Sequence, residues 1–504
     1  MAFSCPNIQQ EIQTEESDER VDPEERKKLK RPYPFPSTIE NNLNDEIIPE
    51  AVDVLDSIFA TLCSFSENSS TCNDISIVEK TNNISSSKKE VEETKSDEIE
   101  IIGDNDYTNV SVKTDDQTEN VSEPFEDIYD FTNIPIQVTG AWKEFGKGNN
   151  YTRGCKWAPD GSCILTCSDD NILRLFNLPE ELWDFAKWQD MPEMEAVVKI
   201  SEGDLIYDYC WYPLMNSAEP SSCCLASSSK HTPVHLWDGF TGKLRCSYRA
   251  YDQMDEIIAA KSLSFDADGA RIFCGFDKTI RVFNVDLPGR NFETRQTFAK
   301  KSGQSGIISC FAFTSQNRSI SAVGSYQKTI GIYSEPDGEL ECLLEGQKGG
   351  LTQLQFSPDG NLLYSAGRKD PEILCWDLRN LGDVLYCLRR SCVTNQRMYF
   401  DISRCGRYVV SGNNNGIISF WDTYEESKAL ACDEFSVLKP IQFFLGHNDC
   451  VNGISLHPTY PLLCSSSGQR KFPDLLSEDE DGMFSSRVIE RDNSLRLWWI
   501  GKCS

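Results

Sequence analysis

The chain has 504 residues with 79 acidic against 49 basic side chains, a net charge of −30. It contains no run of about 18 apolar residues, so a membrane-crossing helix is not expected. Residues 1–16 lack both a basic start and an apolar stretch, which argues against a secretory leader. The 21 cysteines are odd in number and sit in apolar runs such as Ser162–Cys167. They read as small apolar residues of a reducing compartment, not as a disulfide framework.

Most of the negative charge lies at the N-terminus. Residues 1–135 hold 32 acidic and 11 basic residues, a net of −21, and few aromatics. Such a segment cannot bury enough apolar surface to offset chain entropy, so a long acidic disordered N-terminal region is expected. Two islands interrupt it. Arg26, Lys27, Lys28, Lys30 and Arg31 form a short basic cluster of the kind that nuclear import receptors read, or else a solvated charge run. Val52, Leu55, Ile58, Phe59 and Leu62 fall at roughly helical spacing, as in a partner-binding amphipathic helix or a transient helix with no role.

From about residue 137 the pattern changes to short alternating strands with turn signals, and one unit recurs. A strand leads into a turn often reading Pro-Asp-Gly (Pro159-Asp160-Gly161; Pro358-Asp359-Gly360). A second strand ends in small residues, and a third is closed by an aromatic. The closing aromatics are Phe176, Trp237, Phe283, Tyr333, Trp376, Trp421 and Trp498. Most of their spacings lie near the ~40–45 residues of a four-stranded propeller blade. Six positions before the aromatic, Asp170, Asp277, Asp370 and Asp492 stand where a turn aspartate can hold the loop by bonding nearby backbone. These features predict an all-β, seven-bladed WD-repeat β-propeller over 136–501, with an acidic insertion at about 472–490 in the last blade. Residues Ile136–Trp142 are expected to supply the outer strand of blade seven and close the ring, since a propeller must protect its end strands.

In such a ring the loops between second and third strands open on the same face as the blade-connecting loops. The first set holds Lys230, Lys278, Lys328, Arg368, Lys369, Arg470 and Lys471; the second adds Arg153, Lys300, Lys301, Lys348 and Arg397. Tyr151, Phe276, Tyr326 and Phe472 interleave. Cations beside flat rings suit single-stranded RNA, neutralising phosphates and stacking splayed bases. Asn395, Gln396 and Gln469 are candidates for reading base edges. The alternative is a protein-only adaptor, since a basic face also binds acidic peptides or histones. Catalysis is not expected. The four histidines, His231, His235, His447 and His457, show no metal spacing, and His447 after Gly446 fits a structural role. No metal or cofactor is expected.

Several loop strings are not generic repeat residues: Arg153-Gly154-Cys155-Lys156-Trp157, Ile206-Tyr207-Asp208-Tyr209-Cys210-Trp211, Phe298-Ala299-Lys300-Lys301, Gly367-Arg368-Lys369-Asp370, Thr394-Asn395-Gln396-Arg397, Ser467-Gly468-Gln469-Arg470 and Leu497-Trp498-Trp499. Over roughly 140–500 they resemble the telomerase Cajal body protein family. The resemblance implies a non-enzymatic scaffold that recognises the localisation box of small Cajal-body RNAs, and telomerase RNA in many animals. It implies residence in nuclear Cajal bodies, association with dyskerin-type H/ACA particles, and folding by the cytosolic chaperonin. A monomer is expected.

Overall fold

The computed structural model describes residues 128–146, 149–182, 191–380, 382–428, 430–431, 436–471 and 491–502. Every described residue lies within Ile75–Ser504. The basic cluster at 26–31, the apolar island near 50–65 and the acidic insertion at 472–490 lie outside the described residues.

Six antiparallel four-stranded sheets and a seventh, in blade 5, whose four antiparallel strands are extended to six, follow one another along the chain and form a seven-bladed propeller. Blade 1 shows the plan, with Thr152–Trp157 innermost, then Cys163–Ser168, Ile172–Asn177 and, outermost, Val198–Ser201. Blades 2 to 7 begin at Ile206, Ser262, Ile308, Leu351, Phe400 and Val451. The ring closes as expected: Ile136–Ala141 pairs antiparallel with Leu495–Trp499 as the fourth strand of blade 7. Packing starts before that strand. The Asp130 N–H donates to Ile500 O at 2.9 Å, and the Phe131 ring lies 4.7 Å from Tyr408 and 4.8 Å from Phe420. One element carried no sequence signal: Ser436–Leu438 adds in parallel to the outer strand of blade 5, Val384–Arg389.

Burial explains the composition of the strands. A second strand is sandwiched by neighbouring blades on both faces, so Cys163–Ser168, Cys224–Ser229 and Leu462–Ser467 are buried at every position. These runs are built from small and apolar residues without polar alternation, as two-sided burial requires. Cysteine fits there by size, and burial pushes the Cys163 and Cys167 thiols up to about 12, leaving them protonated. Outer strands such as Val198–Ser201 are half exposed and more polar. The cores lie between blades. Trp157 and Phe176 of blade 1 share one cluster with Cys464, Leu495 and Leu497 of blade 7. Each such aromatic contributes about 1.5–3 kcal/mol through burial.

Each closing aromatic lies in a third strand, and hydrogen-bond chains tie several of them inward. In blade 7 Trp498 Nε1 donates to Ser465 Oγ (2.7 Å), which meets His447 Nε2 (2.7 Å). The other face of His447 looks to Asp492, 3.6 Å away. Burial holds His447 neutral by lowering its pKa, which fits the structural role expected of it. Blade 5 repeats the chain with glutamine: Trp376 to Ser365 (2.9 Å), Ser365 to Gln347 (2.8 Å), Gln347 to Asp370 (2.8 Å). Asp170 accepts from Ser168 Oγ (2.6 Å), the Ile172 N–H (3.2 Å) and Arg174 Nη2 (2.5 Å), holding its own turn. Asp277 departs from the pattern: it is exposed, and its carboxylate makes no hydrogen bond among the described residues.

Candidate nucleic-acid interface

The inner strands of blades 1, 2, 4, 5 and 7 carry a register shift near their first residues, at the mouth where the basic loops gather. Bulges re-aim side chains. In blade 1 the shift spans Arg153 and Gly154, and in blade 2 it falls at Tyr207. Both Arg153 and Tyr207 line a cavity of about 330 Å³ at this mouth, with Tyr151, Tyr209, Tyr326, Arg368, Asn395, Gln396, Arg397, Tyr399 and Arg470. Gly154 permits the close approach. Its φ is +117°, and a Cβ there would stand 2.7 Å from the Tyr399 ring.

The arginines in this cavity are not equivalent. Arg397 reaches across the channel: Nη1 lies 3.0 Å from Asp208 Oδ1 and Nη2 donates to Ser309 O (2.9 Å) and Lys261 O (3.3 Å). Burial opposes its charge, but Asp208 outweighs that and holds the guanidinium firmly protonated. Arg153 pairs with Asp169 and donates to Ile206 O at 3.2 Å. Arg470 is 57% exposed, 3.6 Å from the same Asp169. Arg368 has no ion pair among the described residues. Its guanidinium carbon lies over Tyr326, 3.7 Å from the ring centroid, and its Nε is buried without a hydrogen-bond partner. The Tyr209 hydroxyl is buried and unpartnered as well. Beneath it Lys156 donates to Tyr209 O at 2.7 Å, and its Nζ lies 4.9 Å from the Tyr209 ring and 5.5 Å from Tyr399. The cavity lining thus joins several tyrosines with one arginine, Arg368, that has no carboxylate partner among the described residues.

The opposite mouth has a different chemistry. Its cavity, about 360 Å³, is lined by Pro213, Phe265, Phe311, Phe313 and Phe356, and Asp266 is its one ionisable lining residue. Among the described residues no group of three or more His, Cys, Asp or Glu side chains could hold a metal, and no helix is long and apolar enough to cross a membrane.

The WD domain, G-beta repeat family matches residues 145–177, 255–284, 338–377 and 438–471. Telomerase Cajal body protein 1 of Mus musculus is 48% identical over 406 residues, covering 77% of this chain and 75% of that protein. The chain belongs to the telomerase Cajal body protein 1 family. The human protein of that name is 48% identical over 380 residues (74% of this chain, 68% of that protein), and the Drosophila melanogaster homolog 33% over 387 residues (72% and 68%).

On this WD-repeat scaffold the residues singled out from the sequence fall into distinct groups. Arg153, Tyr326, Arg368, Asn395, Gln396, Arg397 and Arg470 line the cavity. Lys230, Lys278, Lys300, Lys301, Lys328 and Lys369 are exposed on the surrounding loops, with no ion pair among the described residues. Lys348 lies 3.3 Å from Glu372 and Lys471 2.6 Å from Asp449, so carboxylates already answer their charge. Phe276 leaves the candidate set. It is 6% exposed, packs in a blade 3 cluster and has Arg281 over its ring at 5.0 Å, so it offers no face to a base. Arg397 lines the cavity and is held by Asp208, Ser309 and Lys261. Of the three amides, Gln396 donates to Gly468 O (2.9 Å) and Gln469 to Asp449 (2.8 Å); the exposed Asn395 is left uncommitted. Tyr207, Tyr209, Tyr399 and Lys156 were not anticipated. One signal was the place of Tyr207 in its inner strand, matching that of Arg153 in blade 1; Lys156, Tyr207 and Tyr209 also stood in the non-generic strings.

Proposed function

We propose that this chain is an RNA-binding scaffold whose basic mouth captures an exposed loop of a small Cajal-body RNA and so retains the ribonucleoprotein in nuclear Cajal bodies. The observation that carries this reading is Arg368 in the cavity lining, its guanidinium 3.7 Å from the Tyr326 ring centroid and without an ion pair among the described residues. A splayed loop nucleotide supplies a phosphate or base edge to the Arg368 guanidinium. Asn395 is placed to read a base edge, and the exposed lysines to neutralise flanking phosphates. The names of the relatives join telomerase and the Cajal body; telomerase RNA as a further client and dyskerin-type H/ACA particles as partner assemblies are part of this proposal. Folding of the ring by the cytosolic chaperonin and nuclear entry through Arg26–Arg31 belong to the same reading, which involves no catalytic step.

The test is binding of the full-length protein to a small Cajal-body RNA hairpin, comparing the unsubstituted chain with Arg368→Ala and Asn395→Ala. Both substitutions should weaken binding, Arg368→Ala by roughly tenfold or more, from a lost stack of about 1–3 kcal/mol. A native complex that survives RNase unchanged, with no affinity for the hairpin, would mean that the basic mouth serves an acidic peptide or histone instead.

A further inference from the structure

We infer that the small hairpin Phe298–Gly303, between blades 3 and 4, grips the double-stranded stem below the captured loop, so that the RNA leaves the cavity over this side of the ring. The inference rests on the RNA-binding reading above and adds a second contact of different kind.

Phe298 pairs with Gly303 and Ala299 with Ser302, leaving Lys300 and Lys301 as a two-residue turn. Both have positive φ, +51° and +65°. This is the type I′ geometry, which strongly favours Asn-Gly. Lysine at both positions is unfavourable for the backbone and presents two ammonium groups at the tip. The base is held firmly. The Gln304 N–H donates to Thr297 O (2.7 Å), and the Gln304 amide donates to Val323 O (2.8 Å) and accepts from the Tyr333 hydroxyl (3.0 Å). The tip residues are exposed and make no ion pair among the described residues.

The face is lopsided in charge. On blades 7 and 1 the cations are answered: Lys471 by Asp449, Arg470 by Asp169, Arg496 by Asp492. The hairpin lysines are not, nor are Lys278 and Lys328 in the turns on either side. The chemistry of the tip also selects the form of RNA. Single strands need rings to stack on, but the one aromatic of the hairpin, Phe298, is half-buried, with Lys278 Nζ 5.9 Å from its ring centroid. Charge without an exposed ring suits a duplex, which is held through phosphates and 2′-hydroxyls.

The experiment compares two probes on the full-length protein: a small Cajal-body RNA hairpin, and its loop strand without the stem. The variant is Lys300→Asn with Lys301→Gly, which removes both charges and installs the turn pair that the geometry prefers, so the fold is kept. Affinity for the stem-loop should fall roughly tenfold and its log–log salt slope by about 2, with binding of the loop strand unchanged. Equal loss on both probes, or no loss on either, would overturn the stem contact and leave the RNA reading standing. Failure of the unsubstituted protein to bind either probe would overturn both.

Discussion

Lys278 and Lys328 occupy the turn position that blade 1 fills with Asn171 and blade 6 with Gly416. Their φ values are +54° and +69°, against +61° for Asn171 and +86° for Gly416. Left-handed backbone costs a side chain with a Cβ roughly 1–2 kcal/mol, and less for asparagine, whose short amide bonds locally. Neither lysine makes an ion pair among the described residues, so little in the folded state opposes the strain. The double variant Lys278→Asn/Lys328→Asn should therefore be at least as stable as the parent, by up to about 0.5–1 kcal/mol per site. Removing two phosphate partners should at the same time reduce RNA affinity and flatten the salt dependence by about 2. Denaturant midpoints and RNA titrations at two or three salt concentrations measure both quantities on one preparation. A variant destabilised by more than about 1 kcal/mol would refute the strain argument. An unchanged salt slope would refute the phosphate role.

Three further substitutions probe the mouth and the ring. Arg397→Ala leaves Asp208 buried without its partner and should cost about 3–5 kcal/mol of stability; lost RNA binding with an unchanged unfolding midpoint would show instead that Arg397 contacts the ligand. Arg368→Lys keeps the charge but loses the flat stack on Tyr326 and the guanidinium fork, so affinity should fall roughly tenfold with the salt slope retained. Equal affinity for the lysine variant would reduce Arg368 to a point charge. His457 accepts at Nδ1 from the Thr459 and Tyr460 N–H groups (3.1 and 2.9 Å) and donates from Nε2 to Gly161 O (3.0 Å), and burial pushes it down to about 4 from 6.5. The unfolded chain therefore binds more protons between those values, and stability should fall by about 2 kcal/mol as pH drops from 7.5 to 5. His457→Gln should lack this part of the slope in thermal melts across that range; an unchanged slope would assign it to other groups.

The ring was legible in the sequence because its signals are local. A closing aromatic, a turn aspartate and a Pro-Asp-Gly turn each report on one blade; their repetition gives the blade count, and the need to protect the end strands gives the closing strand. The mouth was legible only in part, because its chemistry arises between blades. Arg397 and Asp208 are 189 positions apart in the chain and meet only when the channel closes. Whether a loop cation is free depends on such partners, so Arg368 and Lys471 look alike in sequence and differ once folded. Phe276 shows the same limit from the other side. It occupies the turn position of Tyr326, one blade earlier, yet lies in a core cluster while Tyr326 lines the cavity. Tyr209 follows the apolar pattern of its inner strand and Tyr399 directly precedes one, and Gly154, lacking a side chain, leaves room for both.

The most direct test of the central claim is crosslinking of this protein in nuclei, followed by immunoprecipitation and sequencing of the attached RNA. Hairpin RNAs sharing one short loop motif, with crosslinks at the loop and recovery reduced by Arg368→Ala, are the predicted result. Recovery no greater than from uncrosslinked nuclei would contradict the account and leave the basic mouth to a protein partner.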